Sequence, residues 1–184
     1  MRAAACLAAI ALAVALRQAT GGGDPAASLP AALVFAGALL AVALATGWRV
    51  TGPGRTSTAL GVAGGAVLVG AWLGVRGIAG IHLAPASSAM ALWTPIVVAV
   101  AVAEEVALRG ALFEAVRAVG GDGPALLTTT LVFALIHLPL YGTGALPLDL
   151  AAGLLLGGLR IVSGGVLAPA VAHVIADIAG GWLL

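Results

Sequence analysis

The stretch Ile96-Val-Val-Ala-Val-Ala-Val-Ala-Glu104-Glu105-Val-Ala-Leu-Arg109-Gly-Ala-Leu112 decides how this chain is to be read. Eight apolar residues run into two adjacent carboxylates, and an arginine follows after three more apolar residues. The apolar run continues outward to Ala89 and Ala118. Such a segment belongs in lipid, where an acidic or basic side chain at a helix centre costs roughly 2.5 to 3.5 kcal/mol. Charges are kept at that cost where they pair with one another or line a polar cavity.

The rest of the chain agrees with that solvent. Of its 184 residues, 62% are hydrophobic and 8% charged, and its mean hydropathy is +1.18. Soluble domains average about 25% charged residues, enough to cover a water-facing surface, and this chain has too few. A net charge of +1 leaves no basic surface, which excludes nucleic acid as a partner. The single cysteine, Cys6, cannot close an intrachain disulfide.

Seven apolar runs separated by Gly, Pro or Arg cover Ala3–Leu16, Leu29–Trp48, Ala59–Val75, Ala89–Ala118, Ala125–Leu138, Ala145–Val162 and Val166–Leu183. A spanning helix needs about 20 apolar residues. The second, third, sixth and seventh runs meet that length, and the first and fifth fall short. The fourth exceeds it and is expected to extend into the interface. The first run lacks a small-x-small cleavage site and is read as a span rather than a signal peptide. The fold class is therefore all-α: a polytopic transmembrane helix bundle of about seven spanning helices, in one membrane domain over residues 1–184. Helices in 1–88 carry no motif, and 89–183 hold the buried charges. With the N-terminus inside, Arg2, Arg49, Arg55, Arg117 and Arg160 fall on the cytoplasmic side, and Arg17 and Arg76 outside. The glycine pairs 61/65, 70/74 and 153/157 are spaced for close helix packing.

Helix geometry sorts the intramembrane polar residues. Glu105 and Arg109 are four apart with Glu on the N-terminal side, the favourable order for a helical ion pair. Glu104 lies about 100° around the same helix and is free to face another partner. His173 and Asp177 are also four apart, so Asp177 is expected to fix the tautomer of His173. Phe133 sits one turn before His137 and packs near it. Pro139 and Pro169 each remove a helical hydrogen bond, so both histidine-bearing helices are expected to bend. Glu114, Arg117 and Asp122 belong to the wet end of the fourth run. Asp149 suits a helix N-terminus, and His82 falls in a loop.

A glutamate and two histidines on different helices suit two kinds of hydrolysis. In one, Glu104 and His137 hold and deprotonate a water while His173 stabilises the oxyanion. In the other, His137, His173 and a Glu bind Zn2+ with a fourth position open. Both need a wet cavity inside the bundle, and no metal is obligatory in the reading preferred here. Other protease signatures fail: there is no His-Glu-x-x-His and no Gly-x-Ser-Gly. The Gly21-Gly22-Gly23-Asp24 match to Gly-x-Gly-Asp lies in a loop before Pro25.

Three motifs now stand in order on three apolar segments: Glu104-Glu105-Val-Ala-Leu-Arg109, Phe133-Ala-Leu-Ile-His137 and His173-Val-Ile-Ala-Asp177. Together they resemble the CPBP intramembrane proteases, relatives of the type 2 CAAX prenyl proteases and of lysostaphin-resistance proteins. The resemblance covers Ala89 to Leu183. It implies an intramembrane endopeptidase of a multi-pass protein in the cell membrane. The implied substrates are membrane-associated or lipid-modified peptides, with lipid as surroundings. Glu104 would be the catalytic carboxylate, His137 its partner on the water, and His173 with Asp177 the oxyanion site. Glu105 also falls in the family's catalytic motif, with Arg109 and Phe133 in support. The prenyl-protease relatives carry Asn where this chain has Asp177, so Asp177 must be protonated or orient His173. Two other classes use buried charges: a proton- or ion-coupled transporter, and a non-catalytic scaffold or immunity factor. The first expects broken helices in two symmetric halves, whereas this chain keeps its buried charges in one half and shows no repeat. The second expects a lost motif.

Overall fold

The computed structural model describes residues 1–21, 23, 27–49, 57–77, 83 and 87–183. Their helices are α1 (Arg2–Thr20), α2 (Leu29–Ala45), α3 (Ser57–Arg76), α4 (Ser88–Glu105), a π-helical segment (Val106–Leu112), α5 (Phe113–Gly120), α6 (Asp122–Tyr141), α7 (Leu146–Ser163) and α8 (Leu167–Trp182). α4, the π segment and α5 are continuous in sequence, so these helices form seven rods in a helical membrane bundle. His82, Arg55, and Gly22 and Asp24 of the Gly21–Asp24 match lie outside the described residues.

Local chemistry sets the helix ends. The Ser28 hydroxyl accepts the Ala31 N–H at 3.3 Å, and Pro30 occupies the first turn of α2. Ser87 caps α4 through the Met90 N–H at 3.2 Å. Gly142 and Gly164 end α6 and α7 at φ +74° and +71°, a region a side chain makes costly.

Among the described residues four helices are long and apolar enough to span: Arg2–Thr20, Ser57–Arg76, Asp122–Tyr141 and Thr143–Ser163. This corrects the expected lengths. The first and fifth runs become full helices of 19 and 20 residues, whereas the second and seventh give shorter ones, 17 and 16 residues. Apolar runs undercount where a helix continues through polar residues, as at Arg17-Gln18 and Asp122. They overcount where the chain leaves the helix while still apolar, as at Trp48. Pro169 is a second correction. It lies in the first turn of α8, where no intrahelical bond is lost, so only Pro139 sits inside its helix.

α2 packs on α1, α4 and the π segment, and its Phe35 and Leu39 are fully buried in the core. Cys6, Ile10 and Ala13 of α1 share that core. α3 lies along α8 through glycines. A Cβ on Gly61 or Gly65 would stand 2.7 Å from Val171 Cβ or 2.8 Å from Ile175 Cβ. Gly153 and Gly157 face Thr130 and Leu126 of α6 in the same way, while Gly70 and Gly74 face open space. Two of the three glycine pairs thus serve packing. Leu44, Val62, Val67, Leu127, Leu131, Leu135 and Val162 point outward, an apolar surface that suits lipid.

Candidate active site

α4, α6 and α8 bring the three motifs together. Glu104 and Glu105 end α4, and Arg109 follows within the π segment, where the Phe113 N–H reaches back five residues to the Leu108 carbonyl. π turns of this kind are frequent at functional sites. His137 stands near the end of α6, and His173 and Asp177 lie on α8.

Glu105 is fully buried and fully committed on one oxygen. Its Oε1 accepts from Arg109 at 2.7 Å and from His173 Nδ1 at 2.9 Å. Arg109 also donates to the Gly153 carbonyl at 3.3 Å, and its guanidinium lies 4.7 Å over the Phe133 ring. The expected Glu105–Arg109 pair is present, but the carboxylate that orients His173 is Glu105, not Asp177. Asp177 faces the other ring nitrogen, Nε2, at 3.5 Å, beyond a good hydrogen bond. Helical spacing put Asp177 on the right face of α8. It could not show that the Nδ1 edge of the ring turns toward α4.

His137 Nδ1 lies 2.8 Å from the Phe133 carbonyl. A carbonyl only accepts, so Nδ1 carries the hydrogen and Nε2 presents a lone pair. The Phe133 ring lies tilted against His137 at 4.4 Å and edge-on to His173 at 5.3 Å, packing both imidazoles.

Glu104 is the complement of Glu105. Its Oε2 is buried and has no hydrogen-bond partner. It points at His137 Nε2, 3.9 Å away, and at His173 Nε2, 3.8 Å away. One ligand atom from each of the three residues lies within 4.8 Å of the others. These gaps are too long for direct hydrogen bonds. Around a tetrahedral Zn2+, ligand atoms at about 2.05 Å stand about 3.4 Å apart. Around a water at about 2.8 Å, they stand about 4.6 Å apart. The two Glu104–imidazole distances fall between these values and fit either centre with a small adjustment. Two acceptors facing each other, Glu104 Oε2 and His137 Nε2, call for a species with hydrogens or positive charge between them.

The site opens into a cavity of about 530 Å3 that also touches Asp177, Trp72 and Trp93. Glu105 and Arg109 do not line it among the described residues. Three further wall residues were not legible as such. Asp149, in the first turn of α7, turns a buried Oδ2 with no hydrogen-bond partner among the described residues. Tyr141 stacks on His137 with ring centroids 5.7 Å apart. Arg17 joins the wall from α1. In sequence all three sit at helix ends, where polar residues ordinarily mark the interface. Arg160, expected on the cytoplasmic rim, is buried. Its Nε donates to the Arg109 carbonyl at 2.8 Å and its guanidinium pairs with Glu114. Arg117 pairs with Asp122 at 2.7 Å.

A family model described as Rce1-like, type II CAAX prenyl endopeptidase, matches residues 85–179, about half of the chain and all three motifs. No curated protein and no solved structure matches the chain.

Proposed function

Since this chain belongs to the Rce1-like family of type II CAAX prenyl endopeptidases, we propose that it is an intramembrane endopeptidase in which Glu104 and His137 activate a water. Its substrates are membrane-associated or lipid-modified peptides that reach the cavity from the cell membrane. The observation that carries this reading is the unpaired Glu104 Oε2 facing two imidazole Nε2 atoms at 3.8 and 3.9 Å on the cavity wall.

The chemistry follows from the lone pairs. A water between Glu104 and His137 gives each a hydrogen bond, which turns its oxygen lone pair toward an incoming peptide carbonyl. Glu104 takes a proton as that oxygen bonds the carbonyl carbon. His173 has a carboxylate near each ring nitrogen, Glu105 at Nδ1 and Asp177 at Nε2. Those neighbours favour a hydrogen on both nitrogens, so Nε2–H can donate to the oxyanion. Glu104 then passes its proton to the leaving amine, and the C–N bond breaks to give a carboxylic acid and an amine. Glu105, Arg109 and Phe133 are positioning residues in this scheme. The same donor set fits Zn2+ held by Glu104, His137 and His173, which would supply Lewis-acid polarisation of the water and carbonyl.

The test is cleavage of a panel of membrane peptides, prenylated and not, by the purified protein and its Glu104→Ala variant. Products from the first and none from the second support the reading. Equal rates, or no product from any peptide, would remove it.

A further inference from the structure

Arg17 lies on α1, outside the matched segment, and the hydrolytic scheme has no use for it. It is nonetheless 7% exposed and lines the same cavity as Glu104. Its guanidinium stacks 4.9 Å from the Phe35 ring centre. Its Nε is buried with no hydrogen-bond partner, and no carboxylate among the described residues lies within 4 Å of it. The other two buried arginines each have a carboxylate partner, although Arg109 Nε, like Arg17 Nε, is left without a hydrogen bond. Arg109 has Glu105 and the Gly153 carbonyl, and Arg160 has Glu114 and the Arg109 carbonyl. A guanidinium cannot shed its charge, and burying it without a partner is costly.

The wall gives that charge a direction. Among the described lining residues the acids are Glu104, Asp149 and Asp177; the cations are Arg17 and the doubly protonated His173, and His173 already has a carboxylate beside each ring nitrogen. An anionic group entering the cavity is repelled from the Glu104 side and settles on Arg17. The guanidinium fork matches a carboxylate in two parallel hydrogen bonds. We propose that Arg17 binds a carboxylate of the substrate peptide, either its free C-terminus or an acidic side chain. The peptide is thereby oriented with its anionic end at α1 and its scissile bond at Glu104. This rests on the protease reading, and the experiment separates the two.

The full-length Glu104→Gln protein and its Glu104→Gln/Arg17→Gln form are titrated in micelles with a peptide ending in a prenylated cysteine and three residues. The peptide is supplied as the free acid, as its C-terminal amide, and as the amide carrying one acidic side chain after the cysteine. Cleavage of the same peptides by the wild type, Arg17→Gln and Arg17→Lys is followed alongside, with thermal melts to confirm folding. With Arg17 intact, a carboxylate-bearing peptide binds about tenfold or more tighter than the neutral amide. Arg17→Gln erases that discrimination, and Arg17→Lys keeps part of it and appears as a raised KM rather than a lowered kcat. The free acid or the acidic side chain, whichever shows the preference, identifies the source. Equal affinity for all three peptides with Arg17 intact overturns the proposal, as does an equal loss for charged and neutral peptides in Arg17→Gln. If no peptide is cut while the acid preference still follows Arg17, the protease reading falls and the anion site stands.

Discussion

Two polar assemblies lie next to each other in this bundle, one on each side of the peptide bond between Glu104 and Glu105. On the Glu105 side the charges are paired in a chain: Arg109 and His173 on its Oε1, Gly153 behind Arg109, then Arg160 on the Arg109 carbonyl and Glu114 on Arg160, with Glu105 Oε2 and Arg109 Nε left over. On the Glu104 side a buried carboxylate oxygen and two imidazole nitrogens converge without a direct hydrogen bond among them. The difference teaches how to read buried charge in a membrane protein. A network of paired charges off the cavity supports the helices that carry it, and a set of unpaired atoms converging on the cavity wall is built around something that comes and goes.

That comparison can be broken by mutation. The largest effect is expected on the open side. His137→Ala removes the acceptor facing Glu104 and should lower turnover by about 10²- to 10⁴-fold. Its melting temperature should barely move, because its hydrogen bond is to its own helix. A large stability loss with residual activity would place His137 in the scaffold instead. On the closed side the signs reverse. Glu105→Gln strands the buried Arg109 charge and should cost about 3 to 5 kcal/mol, read as a sharp drop in folded yield or melting temperature. Adding Arg109→Met should restore part of that loss, since the pair is removed together.

Arg160→Met gives up a charge-assisted bond to the Arg109 carbonyl and the pairing with Glu114. A loss of about 1.5 to 3 kcal/mol is expected, smaller than for Glu105 because Glu114 is 41% exposed and can turn to water. Turnover measured on the remaining folded protein should stay close to that of the wild type. The smallest effect belongs to Asp177→Asn. Glu105, not Asp177, holds the Nδ1 edge of His173, so this exchange should change the rate by less than about tenfold. A loss as deep as that of His137→Ala would make Asp177 part of the reacting centre.

The sequence carried the helical, membrane-bound class of the fold, because few charges and long apolar runs admit one solvent. It also carried the Glu105–Arg109 pair, which is a matter of spacing on one helix. What it could not carry were relations across the bundle. Glu105 meets His173 sixty-eight positions away. Arg17 and Arg160 read as interface residues because each ends a helix, yet tertiary packing buries both. Pro169 looked like a helix breaker and lies where a helix tolerates it. Helix ends were misjudged for a related reason: backbone hydrogen bonding continues through Arg17 and starts at Asp122, beyond where the apolar pattern stops.

The central claim is that the unanswered oxygen of Glu104 takes the proton from the attacking water. It is tested most directly by Glu104→Gln, which keeps the shape of the side chain and removes its basicity. Cleavage of a prenylated membrane peptide and the thermal melt should be recorded on one preparation of the variant and one of the wild type. The account predicts a melt within about 1 kcal/mol of the wild type and a turnover lower by about 10²-fold or more. A variant that cuts the peptide at the wild-type rate would contradict it.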